Sequence, residues 1–514
     1  STIFNPAYRL GSEFSSVYTN VQNRSSWIAE PQLSWKRNFS KLAVDALAGT
    51  TFQQQKGDNL VSYAMGFSSN SLLENPASAS RTGVLNSDEN LYRYNSLFTR
   101  INFNWAGKYI LNLTGRRDGS SRFGPGKQFA TFGALGVAWL FNKENFIQNS
   151  LPFLSFGKLR SSYGTSGNDQ IGDYQFLDTY GSSGYHYQNT NGLMPLRLYN
   201  PNFGWETNKK FEAALELGFL KDRIMFTAAG YKNRSSSQLV GQPLPGSTGF
   251  TSIQSNLDAV VQNTGLEFTL RTVNIQKASF NWTTNFNLTI ARNKLISFPG
   301  LEGSVYKNDY IVGQPITIRK LFESKGVNPQ TGIYEFTDVN ADGQISYADD
   351  RQIIRDFTPK YFGGLQNQFT YKNWQLDFLF QFVKQINFNF SSAKNYAGTF
   401  RNQPEELVDS WSQIGDTAPY QRYTSGTNRR AMQATDYYAS SDAAVSDASY
   451  IRLKNISLSY DMPTQWFKIM HCRISLQAQN LLTFTSFKGA DPEFTQYGFL
   501  APLRVISAGF QFTF

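Results

Sequence analysis

The sequence is poor in the residues that most chemistry needs. It has one cysteine, Cys472, so no disulfide can form within the chain and a thiolate metal cluster is excluded. It has two histidines, His186 and His471, and neither stands beside a carboxylate or another ligand-type residue at a metal spacing. Nucleophile–histidine catalysis therefore finds little support. Long apolar runs are missing too. No stretch approaches the roughly 20 consecutive apolar residues that a membrane helix requires. That excludes a helical membrane protein, but not a barrel, which pairs every backbone group between strands. No leader-like segment stands at Ser1, so a processed or truncated chain is expected.

Aromatic side chains are abundant, at 15% of 514 residues, with 43 Phe and 27 Tyr. Charged residues make up only 17%, and mean hydropathy is nevertheless −0.40. Rings combined with an overall hydrophilic balance suit strands with one face in lipid and one in water. The net charge of +10 would suit anionic lipid headgroups or nucleic acid. The basic residues are scattered and form no run, which argues against nucleic acid and for rim, lumen and loop positions.

The dominant pattern has period two. In 280–290, Phe280, Trp282, Thr284, Phe286, Leu288 and Ile290 fall on one face. Asn281, Thr283, Asn285, Asn287 and Thr289 fall on the other. The pattern returns with Leu97, Ile101, Phe103 and Trp105, again with Trp374, Leu376, Phe378, Phe380 and Phe382, and finally with Ile506, Ala508, Phe510, Phe512 and Phe514.

About fifteen spanning strands follow, near 25–37, 41–54, 92–105, 108–118, 129–141, 153–164, 205–219, 222–234, 258–273, 278–292, 359–372, 374–388, 449–461, 472–484 and 502–514. Short connections alternate with long ones at 55–91, 165–204, 235–257, 293–358, 389–448 and 485–501. Short periplasmic turns and long extracellular loops are the habit of outer-membrane barrels. The predicted fold is an all-β transmembrane antiparallel barrel. Residues 1–24 are predicted as an extracellular loop segment and 25–514 as barrel. The odd count points to further strands upstream, because single-chain bacterial barrels have even numbers.

One motif carries sharp chemistry. Residues 338–350 read DVNADGQISYADD, the spacing of a calcium loop with glycine at the sixth position. Asp338, Asn340 and Asp342 would offer side-chain oxygens, Gln344 its carbonyl, Ser346 a water-mediated contact, and Asp349 the twelfth-position carboxylate. An acidic surface turn is the plainer alternative.

Other features read two ways. Tyr180, Tyr185, Tyr187, Trp411 and Tyr420 would stack on sugar rings or simply pack loops. Arg100, Arg116 and Arg117 would line the lumen or form a wall charge network. Asp349–Asp350 and Glu405–Glu406 are paired carboxylates, but sequence neighbours usually point apart and no base accompanies them. No enzyme is expected.

Several stretches carry a family likeness. They are RRDGSSRF at 116–123, FATFGALGVAWLFNKENF at 129–146, LRSSYGTSGND at 159–169, NPNFGWETNKKFEAALELGFLKDRI at 200–224, NTGLEFTL at 263–270, SYIRLKNISLSYDMP at 449–463 and QNLLTFTSFKGADPE at 479–493. Together, in this order, they resemble the SusC/RagA-type TonB-dependent transporters. The resemblance implies a barrel of about 22 strands in the outer membrane of a Gram-negative bacterium. It implies a plug, coupling to TonB–ExbB–ExbD through an N-terminal part lacking here, and a SusD-like surface lipoprotein as lid. It also implies import of oligosaccharides or peptides, among outer-membrane lipids and lipopolysaccharide. A transporter-like scaffold subunit is the alternative, and a passive porin a third.

Overall fold

The structure is a computed structural model that describes residues 15–188, 190–393, 397–399, 402–463, 470–494 and 500–513. Its wall is one antiparallel sheet of 16 strands. In chain order these are β1 (Ser16–Ala29), β2 (Gln32–Phe39), β3 (Leu42–Phe67), β4 (Ala79–Trp105), β5 (Tyr109–Ser120), β6 (Phe129–Trp139), β7 (Leu154–Asn168) and β8 (Glu206–Phe219). They continue with β9 (Ile224–Pro243), β10 (Ser252–Lys277), β11 (Phe280–Ser297), β12 (Tyr361–Tyr371), β13 (Trp374–Lys384), β14 (Tyr450–Asp461), β15 (His471–Thr485) and β16 (Val505–Thr513). Both β1 and β2 pair with β3, the first along its upper part and the second along its lower part. They form one line of the wall, interrupted at Glu30 and Pro31, because proline has no amide to donate. Fifteen lines of wall result, as the periodicity predicts.

Every neighbour pairing is between strands consecutive along the wall, so the topology is a plain meander. Register keeps each face continuous. Trp105 pairs with Tyr109 and Tyr109 with Trp139, placing all three rings outward. Trp374 likewise pairs with Tyr460, with ring centroids 4.6 Å apart. These rings sit beside the short turns and make an interfacial girdle. There Glu144 accepts hydrogen bonds from Lys108 Nζ, Tyr109 Oη and Trp139 Nε1 at 2.8, 2.7 and 3.3 Å. The Lys108 and Tyr109 bonds, with Trp139 behind them, hold its carboxyl down at about 2. The inner face is polar and paired. Arg160 binds Glu216 and Glu212, Arg116 binds Asp118, and Gln366 donates to Asp377.

Several expectations change. Residues 16–24 are strand rather than loop, and residues 1–14 lie outside the described residues, as does Phe514. The intervals 55–91 and 235–257 are mostly strand as well. Only 68–78 and 244–251 separate β3 from β4 and β9 from β10. Beyond the lipid both faces meet water, so the apolar alternation stops while backbone pairing continues. Arg117 faces outward with its guanidinium over Phe129, not into the lumen, because it stands one residue from inward Arg116.

Two stretches that carry the family likeness meet at the top of the wall. Arg452 of SYIRLKN is 1% exposed, and its guanidinium binds Asp491 and Glu493 of GADPE at 2.6 and 2.8 Å. Thr483 accepts a third bond at 3.0 Å. Removing one partner of a buried ion pair strands the other, at about 3–5 kcal/mol. Arg452→Met should therefore destabilise the barrel by roughly that amount in urea unfolding. It should also expose 486–494 to protease; an unchanged midpoint would show that the clamp carries no load.

Candidate functional site

The connections between β11 and β12 and between β13 and β14 fold together above the wall. The helix Arg429–Tyr438 starts at Asn428, whose side chain accepts the Ala431 amide. It buries Ala431, Ala434, Thr435 and Tyr437, one face at helical spacing. That face packs on Phe322, Tyr334 and Phe336 from the other connection. Tyr334 stacks on Tyr438 with centroids 3.9 Å apart, and Tyr437 meets Phe322 at 4.9 Å. Burial raises the Tyr334 and Tyr438 hydroxyls above their ordinary value, so both stay protonated. Period-two reasoning had no means to find this helix, which lies inside the expected loop 389–448.

The calcium-like segment is tied to this core. Tyr437 Oη donates to the Ile345 carbonyl at 2.8 Å. Ile345 itself packs against the ring cluster, as its position in the motif requires. Gly343 adopts φ 82° and Ala341 φ 58°, which makes the sharp turn. Asp338 Oδ2 accepts the Gly343 amide at 2.8 Å, and Asp342 Oδ1 accepts the Gln344 amide at 2.8 Å. Asn340 Oδ1 accepts the Asp342 amide at 3.2 Å. The second oxygen of Asp338, Oδ1, is buried with no hydrogen-bond partner. It is the one atom of the loop whose unmet demand a cation would satisfy.

Asp349 and Asp350 do different work. Asp349 is exposed and closes a local turn with Ser346, which donates at 2.9 Å and accepts at 3.1 Å. Asp350 is 1% exposed. Its two oxygens accept the Val339 and Ser346 amides at 2.8 and 2.7 Å, joining the two ends of the loop. The motif assigns the closing role to Asp349; the structure gives the buried clasp to Asp350. Among the described residues, no three His, Cys, Asp or Glu side chains converge on one point.

The ring-bearing loops divide clearly. Trp411 is buried beneath Gly332 and donates to the Pro329 carbonyl at 3.0 Å, so it packs the loop. Tyr185 and Tyr187 stand 82% and 78% exposed on a hairpin, 180–195. Lower on the lumen side, Tyr92 donates to Asp169 at 2.8 Å while Arg122 binds Asp173 at 2.9 Å and lies over the Tyr92 ring. Arg122 also donates to the Asp169 carbonyl at 2.9 Å, which joins RRDGSSRF to GTSGND. Sequence reasoning quoted both stretches without linking them.

A girdled outer face, a polar paired inner face and long loops on one side define an outer-membrane β-barrel. The chain belongs to the family described as TonB dependent receptor-like, beta-barrel, which matches residues 2–481. It is 30% identical to TonB-dependent receptor P3 of Formosa agariphila over 94% of this chain and 50% of that protein. It is 26% identical to TonB-dependent receptor SusC of Bacteroides thetaiotaomicron over 77% of this chain and 41% of that protein. Among solved structures, the RagAB peptide transporter superposes with TM-score 0.79 at 26% identity, over 97% of this chain and 56% of that one. The SusC/RagA likeness read from the motifs is thereby met, and with it the outer-membrane location. The chain spans about half the length of the curated relatives it matches.

The clasp is open to test. Asp350→Ala would remove two hydrogen bonds to a charged carboxylate, at about 1.5–3 kcal/mol each. Compared in chelator, it should make 338–350 more protease-sensitive than wild type, whereas Asp349→Ala should be cleaved at the wild-type rate under that condition. Equal sensitivity of the two variants would remove the distinction between them.

Proposed function

We propose that this chain supplies wall and extracellular loops to an energy-coupled importer of oligosaccharides or peptides. The observation that carries the reading is the paired, polar inner face beneath an ordered loop assembly, in a chain built like the peptide-transporting RagAB. The first and last wall lines do not pair with each other among the described residues. A membrane sheet leaves no such edge open to lipid, so further strands pair there. A plug fills the lumen, TonB–ExbB–ExbD drives it, and a SusD-like lipoprotein closes over the loops. The exposed Tyr185 and Tyr187 offer ring faces to cargo or lid.

Uptake of labelled oligopeptides and oligosaccharides by cells carrying the full-length protein tests this. Uptake of one class should vanish with TonB. Tyr185→Ala/Tyr187→Ala should weaken its half-saturation about five- to 150-fold, the two rings together being worth about 1–3 kcal/mol. Uptake of neither class, or uptake indifferent to TonB, would contradict the reading.

We also propose a structural calcium ion at Asp338, Asn340, Asp342, the Gln344 carbonyl and Asp349. The left-handed Gly343 and the unmet Asp338 Oδ1 support it. When bound, the ion supplies charge that pins the loop and takes no part in chemistry. Metal analysis of the purified protein should find about one calcium per chain. Chelator should raise protease cleavage within 338–350, and Asp338→Ala should remove both effects. Protein free of calcium, with cleavage indifferent to chelator, would rule the site out.

A further inference from the structure

The outward face of β8–β11 carries a cluster that neither the wall nor the transport reading uses. Lys209, Lys232, Arg234, Arg292 and Lys294 are all exposed. Pairing places them side by side. Lys209 stands opposite Arg234, Arg234 opposite Gln262, and Gln262 opposite Lys294. One step lower, Lys232 stands opposite Thr264 and Thr264 opposite Arg292. Phe211, Leu266 and Ile290 share this face, which shows that it is the lipid side. Four strands spaced about 4.8 Å apart make the cluster about 14 Å wide. Among the described residues none of the five forms an ion pair with a carboxylate. Arg234 Nε donates to Gln262 at 2.9 Å, and Arg292 donates to the Lys360 carbonyl at 2.8 Å. Both guanidiniums are thus steadied by neutral acceptors while their charge stays unspent.

The height of the cluster is informative. Arg292 lies ten residues above Trp282, near the periplasmic start of the same strand. At about 3.4 Å per residue this is roughly 34 Å along the strand. A tilt of about 40° reduces it to about 26 Å, close to the apolar band height of about 25 Å. The cations therefore meet the headgroup level of the outer leaflet. Directly below them runs an apolar groove of about 480 Å³, lined by Phe211, Ala213, Gly230, Thr264, Leu266 and Ile290. Its floor is low because Ala213 and Gly230 stand opposite each other.

We propose that this face is a binding site for one phosphorylated, multiply acylated glycolipid of the outer leaflet, lipopolysaccharide. Its phosphates lie on Lys232, Arg234 and Arg292, with Lys209 and Lys294 at the edges, and one acyl chain occupies the groove. Charge complementarity selects this occupant. An uncharged or zwitterionic lipid would leave five cations unmatched, and a protein partner would have to stand in the headgroup layer. The site rests on the outer-membrane embedding of the wall.

The test uses full-length protein purified from native outer membranes in mild detergent. Lipopolysaccharide retained per protein is measured through its hydroxy fatty acids. Lys232→Glu/Arg234→Glu/Arg292→Glu should retain at least about tenfold less than wild type. The periplasmic-rim variant Lys221→Glu/Lys372→Glu should retain the wild-type amount. Equal retention by both variants overturns the site. A second measurement needs no variant. Delipidated wild-type protein is offered lipopolysaccharide and its chemically dephosphorylated form. Preference for the phosphorylated form by about tenfold is expected, and equal binding overturns the proposal. Failure of the embedding itself looks different: wild-type protein is then absent from the outer-membrane fraction, which overturns both.

Discussion

The backbone hydrogen-bond ladder is the constraint on which everything else here depends. Lipid offers no partner to an amide or carbonyl, so each spanning segment must be paired on both sides. The meander achieves this for every interior line of the wall. Once pairing is continuous, the pleat sorts side chains by parity, rings to lipid and amides, hydroxyls and ion pairs to the lumen. Chemistry inside the barrel is thus a consequence of register. A slip of one residue would bring Arg160 and Glu216 into lipid and leave both without water.

Above the lipid the same ladder no longer needs an apolar face, and two kinds of loop arise. Some connections simply prolong the strands, as between β3 and β4. The two longest build a small core of their own around Phe322 and Tyr437. They are fastened at few points. Asp350 closes the acidic loop, Tyr437 ties that loop to the helix, and Arg452 holds the last extracellular connection to the wall. Buried charge is tolerated at Asp350 and Arg452 because each is fully engaged by hydrogen bonds or counter-charge. A loop surface built this way keeps its position without the rigidity of a sheet.

Much of the wall was legible in the sequence because its physics is local. Alternation in 280–290 marks β11, and turns such as Lys372–Asn373 mark the periplasmic end. What stayed hidden depends on partners far away in the chain. Residues 55–67 and 79–91 carry no apolar alternation, since both faces are wet, yet they pair for their whole length. Asp350 looks like any acidic neighbour of Asp349 until the fold buries it. The cluster from Lys209 to Lys294 is scattered over four strands and becomes one patch only through register. The motif stretches were recognisable one by one, but the Arg452–Glu493 pair and the Arg122 bond to the Asp169 carbonyl show how they meet in space.

The account stands on the direction of the wall, long loops outside and lysine-bearing turns inside. Site-directed labelling measures that directly in cells carrying the full-length protein, with the buried native Cys472 replaced by serine. Tyr347→Cys should react with a membrane-impermeant maleimide in intact cells. Lys372→Cys should react only after the outer membrane is opened. Labelling of position 372 but not 347 in intact cells would invert the wall and contradict the account.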